Sequence, residues 1–212
     1  MIVKMHCLVC LNGDYGEISR YDLELADMVI CADGGTNYAQ ALGIIPDLII
    51  GDMDSIAPTL LERLVEQGIE VQAFAPEKDD TDAQLAIQVA IARGADRITV
   101  LGGTGKRLDH TWSVIMSMVT IAAAGVLVKF YHPEYLIYLL TERLELQGNP
   151  GDIVSLLALT PVQGVSTYQL KYPLNQAQLL PERPFAISNQ LLGKQALIEL
   201  QSGVLMVVHI TT

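Results

Sequence analysis

Short apolar runs alternate with helical patterns over the first 130 residues of the chain. The runs have the length of buried strands and lie at 7–11, 28–32, 47–51, 69–74, 98–101 and 126–131. Helical patterns lie between most of them, at 37–42, 58–66, 82–93 and 110–124. Thr81 and Gln84 have the spacing of a capping box, and Pro58 suits a first helical turn. This alternation predicts an α/β domain with an open, mostly parallel sheet covered on both faces.

The pattern changes after His132, where short apolar runs are separated by Gly, Pro or Asn and none has a helical period. These runs lie at 135–140, 143–146, 152–159, 164–170, 185–189, 195–200 and 204–210. Closely spaced short strands with turn residues between them predict an antiparallel β-sandwich. We therefore expect an α/β domain over residues 1–132 and an all-β domain over residues 133–212.

Two segments imitate targeting signals without completing them. Residues 1–11 are followed by Asn12 and Gly13 rather than by a cleavage site, which indicates a first strand and its turn. Residues 111–128 carry no charge, but four hydroxyl residues and Gly125 divide them into a buried helix and a strand. We expect a cytoplasmic protein with no membrane span. Its three cysteines fit buried core thiols better than a disulfide framework or a zinc site.

The formal net charge of −11, from 13 basic and 24 acidic residues, excludes the basic surface that a nucleic-acid-binding protein needs. It also disfavours binding to an anionic membrane surface. Eighteen of the acidic residues precede Thr111, so the acid is concentrated in the predicted α/β domain. Aspartate is a weak helix former and a good cation ligand, and this clustering is therefore the first indication of function.

Polar clusters follow five of the predicted strands, where ligands bind in open parallel sheets. The clusters lie at 12–14, 33–37, 51–55, 76–82 and 102–110. Each one alone is compatible with an ordinary turn. Five at one rim of a sheet predict a site.

Asp52 and Asp54 are two residues apart, so in an extended segment both carboxylates point the same way. At about 5 Å they repel each other by roughly 3 kcal/mol at an effective dielectric constant of 20, and a Mg²⁺ ion removes this cost. Asp82 is the third predicted ligand, although acidic residues at 79–82 also suit a helix start. Asp33 precedes two glycines, which allow a close backbone approach to a ligand.

The segment 102–107 has the opposite character, because it combines glycines with Lys106 and Arg107 before a predicted helix. It matches neither a Walker A loop nor the dinucleotide-binding fingerprint. A backbone nest of amides with two cations nevertheless suits phosphate groups, and His110 is placed to donate to one. The alternative is a flexible surface loop. Acidic groups for a metal together with a cationic glycine-rich loop indicate phosphoryl-type transfer from a nucleotide.

Taken together, these stretches resemble the thiamine pyrophosphokinase family. The matching motifs run in family order over nearly the whole chain: DGGTN (33–37), PDLIIGDMDSI (46–56), EKDDTDAQLA (77–86), GGTGKRLDH (102–110), LKYPL (170–174) and SNQ (188–190). The resemblance implies that ATP and thiamine react with Mg²⁺ to give AMP and thiamine diphosphate. It also implies a homodimer with shared sites, formed by the α/β domain of one subunit and the thiamine-binding β domain of the other.

The resemblance gives roles to individual residues. Those implied in catalysis and metal binding are Asp52, Asp54 and Asp82, with Asp33 and Asp79 close by. Those on the nucleotide side are Asn37, Thr104, Arg107 and Asp109. The polar rim adds Asn12, Lys78, Lys106 and His110 as candidate nucleotide contacts. The implied thiamine pocket contains Tyr172, Ser188 and Asn189.

The chain departs from the family pattern around the implied thiamine pocket. Tyr172 stands where some members have Trp, Gln169 replaces a frequent Gly, and Gln190 replaces a frequent Glu. Two alternative functions stay open at this point. One is a pyrophosphokinase acting on another hydroxymethyl heterocycle such as a pterin, and the other is a Mg-nucleotide-binding module without turnover.

Overall fold

The structure is a computed structural model that describes residues 5–75, 80–105 and 107–211, and these form two compact units. The first contains the chain up to Ser117 together with Phe130–Pro133, and the second contains Met118–Lys129 together with the chain from Glu134 onward. The domain boundary at 132/133 that the sequence pattern indicates stays a prediction.

The first unit is an α/β domain with a parallel sheet. Its strands follow the order β5–β1–β2–β3–β4, and all four neighbouring pairs are parallel. The strands are β1 (His6–Cys10), β2 (Met28–Ala32), β3 (Leu48–Gly51), β4 (Glu70–Ala73) and β5 (Arg97–Leu101). The helices are α1 (Gly35–Ala41), α2 (Pro58–Glu66), α3 (Asp82–Ala92) and α4 (Leu108–Ser117). A short 3-10 helix, Ile18–Arg20, lies between β1 and β2.

Local sequence explains where these elements begin. Every residue of β1 and β3 is buried, as expected for strands covered on both faces. Pro58 occupies the first turn of α2. The predicted capping box is confirmed at α3, because the Thr81 hydroxyl accepts from the Gln84 backbone N–H and the Gln84 side chain accepts from the Thr81 N–H.

The second unit consists of antiparallel strands in two sheets. Within it, one sheet has the order β12–β9–β14–β7 and the other β11–β10–β13–β8. The strands are β7 (Tyr135–Leu140), β8 (Arg143–Gln147), β9 (Ile153–Ala158), β10 (Val162–Tyr168), β11 (Ala177–Leu179), β12 (Asn189–Gln190), β13 (Gln195–Glu199) and β14 (Leu205–Ile210). The unit also holds α5 (Val119–Ala123), and strand β6 (Leu127–His132) is divided between the two units.

Side chains from both sheets meet in one core. Leu156 and Val207 come from the first sheet, and Val165 and Ile198 come from the second. Two facing sheets that share a core form a sandwich. The predicted fold class, a parallel α/β domain followed by an antiparallel β-sandwich, is therefore confirmed.

Two predicted elements differ from the structure, and one observed strand was not predicted. The strand expected at 185–189 is only Asn189–Gln190, because Phe185 and Ile187 are exposed. The three-residue strand β11 is absent from the prediction. The helix expected at 110–124 is two helices that meet at Met118, next to Ser117, whose hydroxyl donates to the Val114 carbonyl. Such a contact back to the preceding turn often bends a helix.

The uncharged segment 111–128 does not form a membrane helix, since no helix within the described residues is long and apolar enough to cross a membrane. The cytoplasmic location stays a prediction. Cys7, Cys10 and Cys31 are free, buried thiols, as expected. Burial raises the pKa of Cys7 to about 12, which keeps this thiol protonated and unreactive.

Candidate functional site

Three carboxylates converge at the ends of β2 and β3. Asp33 directly follows β2, and Asp52 and Asp54 follow β3. One carboxylate oxygen from each lies within 4.8 Å of the other two. At 4.8 Å a pair of charges repels by roughly 3.5 kcal/mol at an effective dielectric constant of about 20, and closer pairs repel more. Asp33 is nearly buried and Asp54 is exposed, so the group opens to solvent on one side.

Backbone conformation brings the three carboxylates together. Asp33 and Met53 both have positive φ values, 45° and 67°, which non-glycine residues seldom adopt. The Asp33 carboxylate accepts from the Ser55 N–H at 3.2 Å, and the Asp52 carboxylate accepts from the Asp54 N–H at 3.2 Å. Strained backbone of this kind persists where the surrounding structure holds it, and it often occurs at functional sites.

Asn37, a predicted nucleotide contact, holds this loop in place in the structure. Its Nδ2 donates to the Ser55 carbonyl at 2.8 Å and to the Gly34 carbonyl at 3.3 Å, and its Oδ1 accepts from the Ala57 N–H at 3.1 Å. The amide thereby ties the start of α1 to the segment that carries Asp52 and Asp54. Its role in the structure is to position the carboxylates, and nucleotide contact stays a prediction.

Asp82 lies beside the carboxylate group without joining it. It is the first residue of α3, after the capping residue Thr81. A Cβ atom at Gly51 would lie 3.3 Å from Asp82 Oδ1 and 3.0 Å from Asp33 Cβ, so both aspartates approach the same glycine. Gly51 has a φ of 142°, and a side chain there would push the two aspartates apart. Asp82 therefore stays a predicted ligand next to the observed group of three.

Two glycine-containing loops pack backbone to backbone beside the carboxylates. The Asp14 N–H donates to the Thr104 carbonyl at 2.9 Å, and a Cβ atom on Gly13 would lie 2.0 Å from the Gly102 carbonyl oxygen. Gly105 has a φ of 152°, and its N–H donates to the Thr111 hydroxyl at 3.2 Å. Glycine is required here because any side chain would separate the loops.

Arg107 and Asp109 form a two-point ion pair at the start of α4. Arg107 Nη2 lies 2.5 Å from Asp109 Oδ2, and Nε donates to Oδ1 at 3.2 Å. The guanidinium lowers the pKa of Asp109 to about 2, and Asp109 in turn raises the pKa of Arg107. Both side chains are exposed, so solvent screens the pair. Asp109 thus occupies two N–H donors of the Arg107 guanidinium, which the sequence predicts to bind phosphate oxygens.

A cleft of about 730 Å³ lies between the two loops and the end of β2 in the first unit, and of the three grouped carboxylates Asp33 alone is in its lining. Predicted site residues in its lining are Asn12, Asp33, Asp82, Thr104, Arg107 and His110. Its other lining residues include Ile18, Tyr15 and Tyr38, which the sequence analysis misses. The Tyr15 and Tyr38 rings stack at a centroid distance of 4.2 Å and an interplanar angle of 5°. Three predicted residues, Lys78, Asp79 and Lys106, lie outside the described residues.

In the second unit, Asn189 fixes the backbone of Tyr172. Asn189 Oδ1 accepts from the Tyr172 N–H at 3.0 Å and the Gln190 N–H at 2.9 Å, and Nδ2 donates to the Tyr172 carbonyl at 2.7 Å. Asn189 is 5% exposed and Tyr172 is 62% exposed, so the ring of Tyr172 is presented to solvent by a buried amide. Ser188, with a φ of 55°, donates its N–H to the Ser155 hydroxyl at 2.9 Å.

Lys171 lies between the Gln190 side chain and the ring of Tyr172. Lys171 Nζ lies 3.1 Å from Gln190 Oε1 and 5.5 Å from the centroid of the Tyr172 ring. Gln190, one of the three residues that depart from the family pattern, therefore contacts the lysine beside the Tyr172 ring. Binding of thiamine by Tyr172, Ser188 and Asn189 stays a prediction.

Two curated thiamine pyrophosphokinases are similar to this chain over most of its length. The chain is 25% identical over 185 residues to thiamine pyrophosphokinase of Bacillus subtilis (strain 168), covering 86% of each chain. It is 25% identical over 233 residues to thiamine pyrophosphokinase 2 of Arabidopsis thaliana, covering 93% of this chain and 82% of the relative.

Solved structures share the fold. A crystal structure of the Bacillus subtilis thiamine pyrophosphokinase matches with a TM-score of 0.84 and 22% identity, covering 98% of this chain and 99% of that one. Thiamin pyrophosphokinase from Geobacillus thermodenitrificans matches with a TM-score of 0.79 and 22% identity, covering 98% of both chains.

Two family models match the chain, one over each part. The thiamin pyrophosphokinase catalytic-domain model matches residues 20–130, which include the three grouped carboxylates, and the vitamin B1 binding-domain model matches residues 141–205, which include Tyr172 and Asn189. With more than half of its length matched by the catalytic-domain model, the chain belongs to the thiamin pyrophosphokinase family.

Proposed function

We propose that this protein transfers a pyrophosphoryl group from ATP to the hydroxyl group of thiamine in a Mg²⁺-dependent reaction. The products are AMP and thiamine diphosphate. The observation that carries the proposal is the group of three carboxylates, Asp33, Asp52 and Asp54, beside a cleft lined by two glycine-containing loops. Membership of the family supports this reaction over the pterin alternative.

The donor set fits a magnesium ion. Three carboxylate oxygens within 4.8 Å of one another present hard, anionic ligands, and Mg²⁺ prefers a few carboxylates combined with phosphate oxygens and water. Asp33, Asp52 and Asp54 would hold the ion, and Asp82 is the adjacent predicted ligand. When bound, the ion supplies charge neutralisation to the phosphate oxygens of the donor.

The chain's own residues bind and orient the two substrates. The glycine-containing backbone of the loops 12–16 and 102–105 leaves room for the phosphates of ATP, and the guanidinium of Arg107 suits them once it exchanges Asp109 for phosphate oxygens. The thiamine hydroxyl oxygen bonds to the β-phosphorus while the bond from that phosphorus to the αβ-bridging oxygen breaks, so AMP leaves with the bridging oxygen. The hydroxyl proton passes to a carboxylate of the cleft, Asp33 or Asp82, or to water. Positioning and charge stabilisation dominate catalysis in such a loose transition state.

We further propose a homodimer in which the cleft of one subunit faces the Tyr172 surface of the other. Large apolar side chains are exposed in each unit, which is typical of surfaces that become buried on association. In the first unit Leu108, Trp112 and Met116 form one exposed stripe of α4, because they are four residues apart. In the second unit Ile187 and Leu192 are more than half exposed.

The reaction is tested by measuring AMP formation from ATP with thiamine present and absent. We expect AMP only with thiamine and Mg²⁺, a mass corresponding to thiamine diphosphate, and no AMP with a hydroxymethyl pterin. AMP formation that is independent of thiamine, or that requires the pterin, would refute the proposal. Nucleotide binding with no turnover of either acceptor would favour a regulatory module. When Asp52 or Asp54 is replaced by asparagine in the same assay, Glu62→Gln is the control, because it removes an acidic side chain from an exposed position of α2.

The dimer is tested by mixing Tyr172→Ala and Asp52→Asn at a thiamine concentration so low that neither variant turns over alone. If the site is shared, heterodimers contain one site built from unmutated halves, and the mixture regains part of the wild-type activity. Native mass spectrometry must confirm subunit exchange. A mixture that exchanges and stays inactive shows that each chain carries a complete site.

A further inference from the structure

The cleft has an aromatic part that the predicted metal and phosphate contacts leave without a role. We infer that the ring of Tyr38 is the contact surface for the nucleobase of the phosphate donor. This inference rests on the proposed function, because it takes a nucleoside triphosphate to be the donor. It assigns a specificity-determining role to a residue that lies outside all of the sequence motifs, directly after the DGGTN stretch.

The Tyr38 ring is held in a fixed orientation. Its stacking partner Tyr15 is 2% exposed, and the Tyr15 hydroxyl donates to the Leu11 carbonyl at 2.9 Å. Tyr15 also contacts the ring of Tyr21 at a centroid distance of 6.0 Å. Tyr38 itself is only partly buried. A partly exposed ring backed by an immobile ring is a preorganised stacking surface, since binding a flat ligand orders no further side chain.

The position of Tyr38 matches the shape of a nucleotide. Tyr38 lies four residues along the chain from Gly34, the N-cap of α1, which is about 6 Å at 1.5 Å per residue. Gly34 adjoins Asp33 of the carboxylate group. The charged part of the cleft contains Asp33, Asp82 and Arg107, whereas Tyr38 and Ile18 supply an aromatic and an aliphatic wall. Phosphates need the charged part, and a purine or pyrimidine needs a flat apolar surface.

The Tyr38 hydroxyl is available to a ligand. Among the described residues it forms no hydrogen bond, in contrast to the hydroxyl of Tyr15. A phenol can both donate to and accept from the edge of a base. Stacking gives the affinity in this arrangement, and the hydroxyl adds a polar contact at the edge of the same surface.

The test compares Tyr38→Leu with Tyr21→Leu, which removes a ring from the same aromatic cluster but not from the lining of the cleft. Dissociation constants for AMP and for inorganic tripolyphosphate are measured by calorimetry, without thiamine. We expect Tyr38→Leu to raise the Kd for AMP about ten-fold or more and to leave the Kd for tripolyphosphate unchanged. Tyr21→Leu should leave both unchanged, and Tyr38→Phe should keep most of the affinity for AMP.

Three results would overturn the inference: an unchanged Kd for AMP in Tyr38→Leu, an equal loss in Tyr21→Leu, or a rise confined to the KM for thiamine. The last would place the thiamine ring, not the base, on Tyr38. If Tyr38→Leu does not fold, photolabelling of the wild-type protein with 8-azido-ATP decides instead. Label on the peptide containing Tyr38 supports the inference, and label elsewhere refutes it. A wild-type protein that binds AMP but lacks thiamine-dependent turnover would refute the proposed function alone.

Discussion

Replacing Asn189 with alanine separates two explanations of how this residue serves the site. The structure makes it a support for Tyr172, whereas the family resemblance implies a direct contact with thiamine. The amide makes three hydrogen bonds to backbone groups while being almost fully buried. At a net value of about 1 kcal/mol each, their loss should cost about 3 kcal/mol in local opening free energy.

Hydrogen exchange of the segment around Tyr172 measures this cost where it arises. A loss of about 3 kcal/mol corresponds to roughly a hundred-fold faster exchange of the protected amides. The neighbouring variant Gln190→Ala is the matched control, because the exposed Gln190 side chain contacts Lys171 at the surface and not the backbone of Tyr172. We expect unchanged exchange in that variant. The single tryptophan, Trp112, lies in the first unit, so its fluorescence reports separately on the α/β domain.

The KM for thiamine completes the comparison. Tyr172→Ala removes an exposed ring, so it should raise the KM while leaving the exchange rates of the β-sandwich core unchanged. Asn189→Ala should raise both the KM and the exchange rate. An Asn189→Ala protein with normal exchange at Tyr172 and a KM as high as that of Tyr172→Ala would refute the supporting role and favour direct contact.

Three further predictions concern the charged groups. Either Asp52→Asn or Asp54→Asn should abolish Mg²⁺-dependent AMP formation and, by removing repulsion, keep or raise the melting temperature of the metal-free protein; near wild-type turnover in both would contradict the metal assignment. Asp109→Asn should free the Arg107 fork and lower the KM for ATP. Since the pKa of Asp109 is depressed to about 2, the pair contributes above the ordinary aspartate pKa of about 4 and is lost only as the pH falls towards 2, so the KM for ATP should show no inflection from Asp109 between pH 5 and 9. Asp152→Ala removes a fully buried carboxylate that lies 2.8 Å from His209 Nε2 and accepts from the Asn149 N–H at 2.8 Å, and chemical denaturation should show a loss of about 3 kcal/mol in unfolding free energy.

The sequence predicts that Asp33, Asp52 and Asp54 lie at one rim of the sheet because they follow consecutive strands, although it names Asp82 rather than Asp33 as the third metal ligand. In a parallel sheet all strand ends lie at one edge, so residues far apart in the chain, such as Asp33 and Asp52, become neighbours. The alternation of apolar and helical segments predicts a mostly parallel sheet but not the order of its strands. It correctly places buried strands such as β1 and β3, whose neighbours on both faces require continuous apolar residues.

The residues that the sequence misses are positioned by packing rather than by pattern. Tyr15 and Tyr38 meet in space because a loop after β1 folds against α1, and no spacing in the chain encodes that contact. The positioning contacts of Asn37 and Asn189 were also hidden, because the sequence does not show which backbone groups an asparagine side chain will bind. Contact of either residue with a ligand stays a prediction.

The strand errors have a similar origin. Residues 185–189 contain alternating apolar side chains, which favour a strand, but Phe185 and Ile187 point to solvent in an irregular segment. Their exposure is typical of an interface rather than a core. Strand β11 is too short for periodicity to detect, and its pairing with β10 includes a register shift.

The most direct test of the proposed reaction follows labelled phosphorus from ATP into the products. With wild-type protein, thiamine and Mg²⁺, label in the β or γ position should appear in thiamine diphosphate, and label in the α position should appear only in AMP. Release of γ-labelled inorganic phosphate in proportion to product, or α-label in the thiamine product, would contradict transfer of an intact pyrophosphoryl group at the carboxylate-lined cleft.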